Sequence, residues 1–97
     1  MPTEGLTRYI YRVHAVRRMF ERGISVGDVQ TVVETGETIE RYPDDTPYPS
    51  RLIYGVTGGK AVHVVVEDRP EVNEIIVITA YEPDAELWEP GMRRRKP

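Results

Sequence analysis

The chain contains no cysteine, which excludes disulfides and thiolate metal sites and suits a cytoplasmic protein. Its histidines are only His14 and His63, so a structural zinc site would have to lean on carboxylates; no metal or other cofactor is expected. No stretch approaches the roughly 20 apolar residues that span a bilayer, and no apolar run follows the first charges as in a secretory leader. No membrane partner is therefore expected. There is no internal repeat, no Ser-His-Asp signature, no phosphate-binding loop, no dinucleotide fingerprint and no metal motif.

What is present describes one small globular unit. A chain of 97 residues, 39% apolar and 30% charged, has room for a single domain around a single core. The net charge is −3, yet arginine bunches between Arg8 and Arg22 and again at Arg93 to Arg95. An acidic average does not exclude a polyanionic partner when the cations are clustered.

The stretch around His14 to Ile24 organises the rest. Read as a helix over about 8–22 with Thr7 as its cap, it places Tyr9, Ile10, Val13, Val16, Phe20 and Ile24 on one apolar arc. Tyr11, His14, Arg18 and Arg22 then share a neighbouring arc. That second stripe carries charge of one sign, whereas solubilising faces usually alternate. Gly23 ends the helix, and Ser25 with Asp28 forms a capping box for a second helix over about 26–35, closed by Gly36. The short joint predicts a tight helix pair.

After Glu37 the period changes to alternation. Strands are expected at about 37–42, 51–57, 60–67 and 74–81, with a stiff triple-proline loop at 43–50 and a hairpin turn on Gly58-Gly59. That turn sets Thr57 opposite Lys60 and Tyr54 opposite His63. Both hairpin faces are partly apolar, so the pattern does not say which one the helices cover. Residues 82–97 read as a tail, with Trp88 pinning it to the core and Arg93 to Lys96 solvated. Met1 to Leu6 read as a frayed lead-in. The expected fold is α+β: two N-terminal helices on a four-stranded antiparallel sheet.

The groups left over form an acid–base and cation set: His14, His63, Tyr54 and Tyr81, with Arg18, Arg22, Arg51 and Lys60. Metal-free RNA cleavage needs that kit, since a base must take the 2′-hydroxyl proton, an acid must protonate the leaving 5′-oxygen, and cations must hold the phosphate. Imidazole suits either proton role, and the guanidinium fork binds two phosphate oxygens. The catalytic candidates are His14, His63 and Tyr81; the phosphate or RNA candidates are Arg18, Arg22, Arg51 and Lys60. Plainer readings stand beside these. Arg18 and Arg22 could pair with Glu21, Glu34 or Glu37, His63 could be a half-buried ring bonded to Tyr54, and Arg51 could serve Asp44 and Asp45.

His14-Ala15, Arg18-Met19, Arg22-Gly23-Ile24, Tyr42-Pro-Asp-Asp45, Tyr48-Pro-Ser-Arg-Leu52, His63-Val-Val65 and Val77-Ile-Thr-Ala-Tyr-Glu-Pro-Asp84 resemble, over nearly the whole chain, a family of short prokaryotic proteins carried as a domain of unknown function, DUF4258. That family is similar in size and layout to the RelE-like, barnase-like and MqsR-like ribonuclease toxins. The resemblance implies a metal-independent endoribonuclease of a toxin–antitoxin pair, acting on mRNA and partnered by a zinc-binding, MqsA-type antitoxin. The alternative is a non-catalytic protein-binding module that partners the same small zinc protein. A partly apolar second sheet face leaves room for a homodimer.

Overall fold

In the computed structural model, which describes residues 6–97, the elements run β1 (Arg8–Tyr11), α1 (Val13–Arg22), α2 (Val26–Thr35), β2 (Glu37–Tyr42), β3 (Ser50–Thr57), β4 (Lys60–Arg69), a 3-10 turn (Pro70–Val72) and β5 (Glu74–Tyr81). The lead-in expected over Met1 to Leu6 lies, apart from Leu6, outside the described residues. The fold is α+β, with two helices and a five-stranded sheet of order β1-β5-β4-β3-β2. β1 lies parallel to β5 and every other pair is antiparallel, so the sheet is mixed rather than four-stranded and antiparallel.

The added strand comes from the first residues assigned by periodicity to the helix. Arg8-Tyr9-Ile10-Tyr11 also alternates, and its aromatic and β-branched side chains fit a pleated surface. Pairing with β5 aligns Tyr9 with Ile75 and Tyr11 with Val77, which lets both tyrosines pack against the core beneath the helices. The Arg8 amide is taken by the Asn73 carbonyl at 2.9 Å and the Arg12 amide by that of Val77 at 3.1 Å. A frayed helical turn would have left these donors to water. The helix therefore starts at Val13, with Arg12 in extended geometry before it and no side-chain cap.

Removing that turn changes which face of α1 is buried. Ala15 and Met19 point into the core, while Val13, Val16 and Phe20, expected inside, are exposed. The small Ala15 side chain lets the helix backbone approach β5 closely, which a row of larger residues would prevent. Gly23 closes the helix at φ 67°. For α2 the capping box on Ser25 and Asp28 is present, with both bonds made at 2.9 and 3.0 Å. Instead of pairing tightly, the helices sit separately on the sheet, α1 on β5 and α2 on β3 and β4. Gly55 admits α2: a Cβ there would lie 3.0 Å from both methyl groups of Val32.

The helices cover the sheet face that carries Ile53, Val62, Val64, Val66, Val77 and Ala80. The hairpin closes in the expected register, with Thr57 opposite Lys60 and Tyr54 opposite His63. On the other face lie Leu52, Tyr54, His63, Val65 and Glu67, and a register shift in β5 beside Val65/Val66 sets Thr79 and Tyr81 there as well. This second face is closed by the C-terminal segment. Trp88 is buried over His63 with ring centroids 4.5 Å apart, and a small hairpin links Trp88 to Arg95. The solvated tail is thus corrected to a strap. Arg93 binds Glu37 at 3.0 Å and lies over the Tyr54 ring, while Arg95 binds Glu40 at 2.9 Å and lies over Trp88.

Candidate active site

α1 runs along β5 from Val77 towards its C-terminal end, because Arg12 is tied to Val77 and the helix packs on that strand. β1 pairs only with residues 74–77 of β5, so no described strand pairs with the edge beyond them. There, Arg18, Arg22, Tyr81, Glu82, Asp84, Leu87 and Trp88 enclose an open hollow of about 310 Å³. One wall is the last two turns of α1; the other is the turn that carries the chain from β5 into the strap. The Arg18 guanidinium stands over the Tyr81 ring, 5.9 Å from its centroid. Arg18 and Arg22 form no ion pair among the described residues, so pairing with Glu21, Glu34 or Glu37 does not occupy them.

His14 lies one turn before Arg18 on the same side of α1, about 6 Å along the axis. It is exposed, its ring has no hydrogen-bond partner among the described residues, and it is not part of the wall of the hollow. Tyr81 is half-buried. Burial pushes its phenol above the ordinary value, Arg95 and Arg18 opposing, so at neutral pH the hydroxyl keeps its proton. Glu82 and Asp84 bring negative charge to the rim, and one Asp84 oxygen is already taken by the Glu86 amide at 2.8 Å.

The other candidates lie elsewhere. His63 is completely buried, and both ring nitrogens face protein. Its Nε2–H donates to the Met92 carbonyl at 2.7 Å, and Nδ1 faces the Tyr81 hydroxyl at 3.4 Å. No face is left for a substrate, so His63 serves the strap. Arg51 lies at the opposite end of the sheet. It binds Asp68 at 2.6 and 3.1 Å and Thr38 at 2.7 Å, rather than Asp44 or Asp45, and so lies apart from the hollow with its guanidinium paired. Lys60 is exposed at the hairpin tip, at the same end of the sheet as Tyr81 but outside the wall of the hollow.

A family model described as "Domain of unknown function (DUF4258)" matches residues 11–82. The chain belongs to that family. No curated protein and no solved structure matches it. The DUF4258 match takes in both helices, β2 to β5, His14, and the cleft residues Arg18, Arg22, Tyr81 and Glu82. It stops before Asp84, Leu87 and Trp88, so in this DUF4258 protein one wall lies inside the matched region and most of the other outside it.

Leu87 and Trp88 were invisible as site residues because their sequence reads as turn and anchor. Only the folding back of the strap brings them beside α1. Larger open hollows exist, about 540 Å³ near Leu6 and about 330 Å³ beside Gly36. The arginines in them are committed, Arg8 to Glu74 and Arg93 to Glu37. Unpaired guanidinium groups and a phenol line the hollow at the end of α1, and the exposed His14 imidazole lies one helical turn before Arg18.

Proposed function

We propose that this protein is a metal-independent endoribonuclease of the toxin class, working at the cleft between α1 and the end of β5. The observation that carries the reading is the pair of unpaired guanidinium groups, Arg18 and Arg22, lining a hollow that also holds the Tyr81 phenol. Arg18 and Arg22 hold the scissile phosphate and offset the charge that builds on it. His14 takes the proton from the 2′-hydroxyl as that oxygen attacks phosphorus. Tyr81, kept protonated by burial, gives its proton to the departing 5′-oxygen. The products are a 2′,3′-cyclic phosphate and a free 5′-hydroxyl, so protons and charge balance without a metal. In a cell the same cleft would be silenced by a zinc-containing, MqsA-type antitoxin.

The test is cleavage of single-stranded RNA by purified protein in the presence of chelator, with the new ends sequenced. Cyclic phosphate ends are expected, with about 100-fold less activity for Arg18→Ala and for His14→Ala at unchanged melting temperature. Cleavage that disappears with chelator, or that survives both substitutions, rejects this mechanism. A stable complex with the zinc protein and no cleavage under any condition would favour the binding module.

A further inference from the structure

The side of α1 turned away from the cleft carries an apolar row that no described part of the chain covers. Val13, Val16 and Phe20 are 75, 52 and 87% exposed, and Val26, across the short joint to α2, is half-exposed. Steps of three and four residues stack the first three on one strip of the helix, the spacing of a helix–helix seam. A single exposed apolar residue is ordinary. A row ending in an almost fully exposed phenylalanine marks a contact surface.

Charge says what kind of partner fits. α1 carries Arg17, Arg18 and Arg22 against one acid, Glu21, and none of the three arginines is ion-paired among the described residues. Arg17 borders the row directly, three residues before Phe20. A second copy of this helix laid on the row would bring arginine against arginine. A single-stranded nucleic acid could stack on Phe20 but would leave Val13 and Val16 in water. A helix with an apolar strip and acidic flanks meets both the row and its border.

We infer that the Val13–Val16–Phe20 row of α1 is the docking surface for an acidic amphipathic helix of another protein. The partner supplies apolar anchors at i, i+3 or i+4, and i+7, with Asp or Glu beside them to meet Arg17. This surface does not depend on the RNA reading, since the row and the cleft lie on different sides of the helix.

The experiment uses a displayed library of amphipathic helical peptides with randomised flanking positions. It is selected on the full chain and counter-selected on Phe20→Ser. Enriched peptides are then titrated by fluorescence anisotropy. The expected sequences are acid-flanked. Binding should fall about tenfold or more for Phe20→Ser and for Val16→Ser, stay unchanged for Arg18→Ala, and move towards basic flanks for Arg17→Glu. Melting temperatures of the Ser variants should match the parent, because neither side chain is buried. Peptides enriched without acidic bias, or bound equally by Phe20→Ser, overturn the proposal. So does a dimer that Phe20→Ser dissolves in sedimentation, or a loss of single-stranded RNA affinity with peptide binding intact.

Discussion

His63 shows how one residue type can serve two very different ends. An imidazole in a valine-rich strand reads more readily as a half-buried ring than as a catalyst, and its partner in the strap, the Met92 carbonyl, lies 29 residues away. Burial lowers its pKa from the ordinary 6.5, with the Met92 bond and Glu40 opposing. The unfolded chain therefore binds the proton first as the pH falls, and stability rises with pH through that interval. The contribution is complete above about pH 6.5 and is lost as the pH drops towards the lowered native value. Melts between about pH 7.5 and 5 should show the parent losing stability more steeply than His63→Gln. Parallel curves would mean that His63 does not titrate with unfolding.

At the scale of elements, α1 shows that a period is easier to read than its phase. The apolar arc through Val13, Val16 and Phe20 is real, but it became the core face only by counting Tyr9 and Ile10 as helical. Those two belong to a strand whose partner, β5, is 66 residues away in sequence. No local pattern announces a parallel pairing of that separation. The corrected phase makes opposite demands on two positions. Ala15→Leu should cost about 1–3 kcal/mol by forcing the helix off β5, whereas Phe20→Ser should stay within about 0.5 kcal/mol. Equal effects in denaturant melts would restore the original face. The strap makes a similar contrast. Trp88→Ala removes a buried aromatic and should cost about 3–5 kcal/mol. Arg93→Ala breaks a mostly exposed pair and should cost about 0–1 kcal/mol.

Across the whole molecule, charge is separated rather than merely acidic. The strap arginines Arg93 and Arg95 are absorbed by Glu37 and Glu40. Glu40 is held below its usual pKa by Arg95 and Tyr42, against the burial that would raise it. Tyr42, half-buried and bonded to Glu40, is pushed up to about 12. Three arginines that form no ion pair among the described residues, Arg17, Arg18 and Arg22, sit together on α1, although the protein carries −3 overall. If Arg18 and Arg22 each neutralise one phosphate, the logarithm of RNA affinity should fall with the logarithm of salt at a slope of about −1.4, and Arg18→Ala should remove about half of it. Titration of a labelled oligonucleotide over a range of salt checks this, and an unchanged slope would place the RNA contact off α1.

By itself the sequence determined the parts written in short-range chemistry. Those are the capping box at Ser25, the left-handed stop at Gly23, the hairpin on Gly58-Gly59 with its register, and the cationic stripe at Arg18 and Arg22. Each depends on residues a few positions apart, where backbone geometry leaves few choices. The tertiary structure alone decided the parallel strand at Arg8–Tyr11, which hairpin face the helices cover, the burial of His63, and the strap that completes the cleft. These depend on distant segments competing to bury the same apolar surface, and that competition is settled only when the whole chain packs.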